Sequence, residues 1–130
     1  MKTLKIIISA VLVIGSTIGV IAAALGYEAY RFRDITADIL ARAPERGNFY
    51  PREISLPVGR KARLRVRNVD TVTHGFTIPG LGVDASAIGA GKQHIVEFTP
   101  QQTGTYDFYC TVWCSTGHLQ MRGVIKVVAK

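Results

Sequence analysis

Soft metal donors crowd into one short stretch, Cys110-Thr111-Val112-Trp113-Cys114-Ser115-Thr116-Gly117-His118-Leu119-Gln120-Met121, which holds both cysteines of the chain. Thiolate and thioether sulfur favour copper, Cu(I) above all, and imidazole suits both copper oxidation states, so this set can keep its metal through a redox cycle. A mononuclear blue-copper centre takes one Cys, two His and a weak Met; here there is a thiolate too many. The extra sulfur has a physical use, because two thiolates can each bridge two coppers and let one unpaired electron spread over both. Spreading the charge keeps bond-length changes on reduction small, and little reorganisation means fast electron transfer at small driving force. A further donor comes from Thr73-His74-Gly75-Phe76, where Gly75 permits close backbone approach beside the ligand. His94, in Lys92-Gln93-His94-Ile95-Val96-Glu97-Phe98, has no donor near it in sequence and reads as an ordinary strand histidine.

Plainer chemistry is available for the same residues. Two cysteines in an exported chain commonly form a disulfide, a reading weakened here by His118, Met121 and His74. Zinc gains nothing from a thioether, and structural zinc sites are built from Cys and His. Met121 alone would be core filler, and Trp113 alone a buried sandwich aromatic. No nucleophile and no general acid–base pair is arranged anywhere in the chain.

The elements that must position these donors alternate with period two. Ala62, Leu64 and Val66 alternate with Arg63, Arg65 and Arg67, giving one buried and one wet face. Residues 52–56, 72–78, 93–98, 105–110 and 123–128 read as further strands. Turn signals separate them at Pro57-Val58-Gly59, Pro79-Gly80, Gly89-Ala90-Gly91 and residues 99–104. Several short strands with regular turns predict a sandwich or barrel, with the donor loop between its last two strands. The three arginines read as a solvated strand face or a contact to a partner or to lipid headgroups.

Residues 6–25 carry no charge, and about 20 apolar residues is the length a helix needs to cross a bilayer. A signal peptide is the rival, since Lys2 and Lys5 precede the run and Ala22-Ala23-Ala24 offers a small-residue cleavage site. The apolar run exceeds the usual h-region of about 7–15 residues, so an uncleaved anchor is expected. Arg31, Arg33 and Arg42 beyond it count against export by the positive-inside rule; a leading Lys with a long apolar run, and an exported copper domain, count for it. Residues 27–43 space Ile35, Ile39 and Leu40 between charges as a helix would, ended by Pro44 and followed by Arg46-Gly47-Asn48. The expected organisation is an anchor over 1–27, a juxtamembrane helix and linker over 28–46, and the sandwich over 47–130. The net charge of +7 over 130 residues makes the soluble part basic, yet no nucleic-acid-binding motif accompanies it.

Asp70-Thr71-Val72-Thr73-His74-Gly75-Phe76, Thr99-Pro100, residues 104–110, the Cys-x-x-x-Cys-x-x-x-His-x-x-Met loop and Gly123-Val124-Ile125-Lys126-Val127 together resemble the CuA domain of cytochrome c oxidase subunit II. The pattern is most like the short, single-helix subunit II of B-type heme-copper oxidases. Residues 49–51 and 54–59 also resemble the strand opening their domain. The resemblance implies an all-β, cupredoxin-like Greek-key β-sandwich with an N-terminal transmembrane helix. It implies a binuclear copper (CuA) centre in which Cys110 and Cys114 bridge the metals and His74 and His118 each cap one. Met121 and the Val112 carbonyl would be the weak axial ligands. Electrons would come from a cytochrome c or similar small carrier and pass to heme in subunit I, with His118 facing that subunit. The copper domain would lie on the extracytoplasmic side of the plasma membrane. Where mitochondrial-type oxidases have a magnesium-binding Glu, this chain has Val112, so no such magnesium site is expected. Their electron-receiving aromatic cluster is also missing; Phe49 or Tyr50 would replace it. No acidic docking patch is present, and like charges disfavour a basic cytochrome c, which leaves a neutral or acidic carrier, or apolar docking. The alternatives are a free-standing, membrane-tethered CuA carrier, the CuA subunit of a nitric oxide reductase, and a copper chaperone or sensor.

Overall fold

The computed structural model describes residues 2–32 and 35–129; Met1, Arg33, Asp34 and Lys130 lie outside the described residues. The chain divides into two compact units, Met1–Asp34 and Ile35–Lys130.

The first unit contains the helix α1, Lys2–Phe32. Its 31 residues reach roughly 46 Å at about 1.5 Å per residue, enough for a hydrocarbon core of about 30 Å. Its large apolar side chains from Leu4 to Tyr30 are exposed, and it is long and apolar enough to cross a membrane, a test that an N-terminal signal sequence also passes.

The second unit is a sandwich of two sheets. One has the order β1-β3-β6, from Ala37–Ala41, Ala62–Asn68 and Gln93–Phe98; the other has the order β2-β8-β7-β4-β5, from Glu53–Pro57, Arg122–Val128, Gly104–Tyr109, His74–Ile78 and Val83–Ile88. Alternation along β3 buries Ala62, Leu64 and Val66, which join Ile39, Val96, Leu56, Ile78 and Ile125 in one core shared by both sheets. At its centre Phe49, Phe76 and Phe108 form an edge-on and tilted ring cluster with centroids 5.3–5.7 Å apart. Rings of this size, fully buried, each contribute about 1.5–3 kcal/mol by area.

One expectation is corrected by the strand pairing. Of the helix expected over residues 27–43, only the start belongs to a helix, the continuous α1; Ala37–Ala41 is instead the strand β1, paired in parallel with β3. The spacing of Ile35, Ile39 and Leu40 fits a helix locally, but only the strand both buries Ile39 and Ala41 completely and brings Asp38 between Arg65 and Arg67, at 2.5 and 3.0 Å. Arg33 and Asp34, also within that expected helix, lie outside the described residues. The arginine face, in turn, is half-buried and ion-paired, since Arg63 and Lys61 share Glu97 at 2.6 Å each.

Candidate metal centre

The donor loop closes a hairpin. Strands β7 and β8 pair antiparallel with Tyr109 opposite Arg122, so Cys110 and Met121 face each other one step further on, and Cys110 N–H donates to the Met121 carbonyl at 3.0 Å. Within the loop a short helical turn, His118–Gln120, is tied back by His118 N–H to Ser115 O at 3.1 Å. His74 opens β4, where the register with β5 slips between His74 and Phe76; such bulges re-aim side chains beside functional sites. The close approach expected at Gly75 is present, because a Cβ there would stand 3.0 Å from Thr111 N and 3.2 Å from Thr111 Cβ. Gly75 N–H points at Cys110 Sγ, 3.4 Å away.

His74, Cys110 and Cys114 bring ligand atoms within 4.8 Å of one another. Cys110 Sγ lies 3.9 Å from His74 Nδ1 and 3.2 Å from the Val112 carbonyl; Cys114 Sγ lies 3.6 Å from both His118 Nδ1 and Met121 Sδ. Donors sharing one tetrahedral ion, with metal–sulfur near 2.3 Å and metal–nitrogen near 2.0 Å, stand roughly 3.5 Å apart. The donor pairs therefore fit a shared soft metal as they stand. Both cysteines are free thiols, not the disulfide of the plainer reading. Burial, with the Cys110 charge next to it, pushes the Cys114 thiol up to about 11; two adjacent thiolates need a cation between them, as a copper site supplies.

Sequence reasoning missed the support of His74. Asp70 is buried and receives Ala43 N–H at 2.8 Å, Thr71 N–H at 2.7 Å and the Arg46 guanidinium. Burial alone would raise its pKa, but these donors and the His74 hydrogen bond hold it down at about 2. The carboxylate meets His74 Nε2 at 3.3 Å, which puts the ring proton on Nε2 and leaves Nδ1 to face Cys110. Burial lowers the pKa of His74, only partly countered by Asp70, favouring the neutral imidazole a metal requires. The available signal was an acid four residues before a ligand-type histidine.

Phe49 is fully buried in the ring cluster and has no surface to meet a donor protein, whereas Tyr50 is 67% exposed. Trp113 is not the buried aromatic expected: it is 71% exposed and its ring lies 5.7 Å from that of His118. His94 is exposed on β6, away from the cluster. Beside the loop, a cleft of about 400 Å³ is lined by Tyr109, Cys110, His118, Leu119 and Arg122.

Among curated proteins, 93 residues are 33% identical to a nitrous-oxide reductase of Cupriavidus necator, covering 69% of this chain and 14% of that protein. A relative of the same name from Ralstonia nicotianae is 30% identical over 75% of this chain and 15% of its own length. The chain thus spans about a seventh of the curated relatives it matches. Among solved structures, a chain of a heme-copper terminal oxidase dimer superposes with a TM-score of 0.61 at 20% identity, over 88% of this chain and 97% of that one. The periplasmic domain of subunit II of cytochrome oxidase from Bradyrhizobium japonicum gives 0.53 at 23% identity, over 74% and 86%. The cupredoxin-like domain model matches residues 18–127. Because that match runs through both sheets and all the candidate donors, the chain belongs to the cupredoxin-like domain family.

Proposed function

We propose that this chain is an electron-transfer subunit built around a binuclear CuA centre, held by His74, Cys110, Cys114, His118, Met121 and the Val112 carbonyl. The observation that carries the reading is the pairing of donors: each thiol has its own imidazole, at 3.9 and 3.6 Å, and its own weak axial donor, at 3.2 and 3.6 Å. One sulfur too many for a mononuclear blue site becomes the bridge of a two-metal one. When bound, the copper pair supplies a one-electron carrier with low reorganisation. The protein's own part is to hold the sulfurs and rings in a rigid hairpin, keep His74 neutral by burial while Asp70 fixes its ring orientation, and bury the cluster away from water. Exposed Trp113, its ring 5.7 Å from that of half-buried His118, offers a surface through which the cluster could meet a docked protein.

The reading extends to a single-pass protein of the plasma membrane, anchored by α1, with the copper domain on the extracytoplasmic face. There it would take electrons from a cytochrome c or similar carrier and pass them to heme in subunit I of a heme-copper oxidase. The likeness in fold to oxidase chains supports this setting. A similar domain within a nitrous-oxide reductase supports a second reading, a CuA module serving another reductase. A copper chaperone or sensor fits less well, since His74 at 0%, Met121 at 1% and Cys110 at 4% exposure leave little access for rapid metal exchange. The test is an electron paramagnetic resonance spectrum of the copper-loaded chain. One electron shared equally by two copper nuclei gives the expected hyperfine pattern; a single-copper pattern, or one copper per chain, would overturn the reading. Co-purification with a heme-bearing membrane subunit separates the oxidase role from a free carrier.

A further inference from the structure

The short helical turn Pro44–Arg46 and its flanks touch both halves of the candidate centre. On the His74 side Ala43 N–H and the Arg46 guanidinium hold Asp70, and Arg46 also reaches the Thr71 hydroxyl at 3.1 Å. On the His118 side the Glu45 carboxylate accepts Gly117 N–H at 3.0 Å and the Thr116 hydroxyl at 3.5 Å, while Asn48 Nδ2 donates to the Gln120 carbonyl at 2.8 Å. Gly117 leads directly into the helical turn that carries His118.

Gly117 supplies an independent observation. Its φ of −85° is open to any residue, so backbone conformation does not demand glycine here. Space is the constraint: a Cβ at this position would stand 2.8 Å from Glu45 Oε1, the movable end of that side chain, and 3.2 Å from Pro44 Cβ, so it would push the carboxylate aside. The missing side chain makes room for the carboxylate.

We propose that Glu45 is a positioning residue, which pins the loop at Gly117 so that Cys114 and His118 hold their donor atoms in the metal-binding arrangement before the metal arrives. The role toward copper rests on the function proposed above; the pinning of the loop does not. Partners that orient metal ligands from behind typically matter by about 10- to 100-fold in metal affinity, and Glu45 acts one step further out, through the backbone.

The experiment uses the detergent-solubilised full chain as wild type, Glu45→Ala, Glu45→Gln and Gly117→Ala. Amide hydrogen exchange at Gly117 is measured on the metal-free protein, and the rate of copper loss to a Cu(I) chelator on the loaded protein. Glu45→Ala should speed both, copper loss by about tenfold, and broaden the copper hyperfine pattern, with thermal unfolding of the metal-free chain unchanged. Glu45→Gln keeps an oxygen acceptor and should restore wild-type behaviour. Gly117→Ala displaces the carboxylate from the opposite side and should reproduce the loosening of Glu45→Ala. Wild-type exchange and copper loss in Glu45→Ala would overturn the proposal, as would a Gln variant as damaged as the Ala one. If the wild type itself fails to hold two coppers, the function proposed above falls, while Gly117 exchange still decides whether Glu45 pins the loop.

Discussion

His74 and His118 have the same chemistry and opposite surroundings. His74 stands on a strand, completely buried, its Nε2 fixed by a carboxylate that itself receives two backbone amides and a guanidinium. His118 stands on a helical turn within a loop, half-buried, its ring tilted against an exposed tryptophan. The difference separates two tasks that one site must perform. The His74 half fixes geometry from inside the sandwich, and the His118 half meets the outside, where in the proposed function electrons would pass to another protein.

The strongest test of this division removes what joins the halves. Cys114→Ser deletes one of the two sulfurs proposed to bridge, and we expect the proposed binuclear centre to be lost, leaving at most one copper; a retained mixed-valence absorption and hyperfine pattern would end the assignment. Next in size is Asp70→Ala, which unlocks His74 and leaves the amides of Ala43 and Thr71 without their acceptor. Copper affinity should fall by about 10- to 100-fold, read by competition with a chelator, with the His74-bound copper perturbed more than its neighbour. Equal perturbation at both metals would break the comparison, since it would mean that the two rings share their support.

The two halves were not equally legible in sequence. The loop from Cys110 to Met121 announced itself because each donor atom is written into the residue type, and His74 because a glycine follows it beside a β pattern. Asp70 and Glu45 were not, since a carboxylate's role depends on which distant amide it meets, and Gly117 looks like a turn residue until the side chain across from it is known. Trp113 was misjudged because ring size suggests burial, while a tight hairpin loop leaves its outer side nowhere to bury. In the fold, the alternation of β3 and the runs that became β4, β6, β7 and β8 were readable. Val83–Ile88, β5, escaped because Asp84, Ala85 and Ser86 give little apolar signal. Ala37–Ala41 misled because its pairing partner lies more than twenty residues later, at Leu64–Asn68, and only that pairing overrides the local helical spacing.

A finer probe is Met121→Leu. The thioether is 1% exposed and sits 3.6 Å from Cys114 Sγ, and Leu fills similar volume at a cost below about 1.5 kcal/mol. Both metals should remain. Loss of a donor destabilises the oxidised state more than the reduced one, so the potential should rise on the order of tens of millivolts, where about 59 mV is tenfold in a one-electron equilibrium. Voltammetry checks the shift; loss of copper would show that Met121 holds the site together and that its axial role is wrong.

The smallest effect supplies the control that makes the others interpretable. Asp38 on β1 is paired with Arg65 and Arg67 of β3, on a sheet face that contributes no donor to the centre. Partial burial alone would raise its pKa above 3.8, and the hydrogen bonds and charges of the two arginines more than offset that, so it is lowered. A carboxylate with a depressed folded pKa adds stability that is present above the unfolded value and is lost as pH falls through the folded one. Asp38→Asn should therefore lower stability by about 0.5–1 kcal/mol at neutral pH, a gap that closes as the pH drops below 3.8, checked by urea unfolding of both proteins across that range. The copper spectrum and potential should stay unchanged. If this loss of stability alone shifted the spectrum, the effects of Asp70→Ala on His74 would reflect general loosening, and the contrast between a fixed half and a facing half would have no basis.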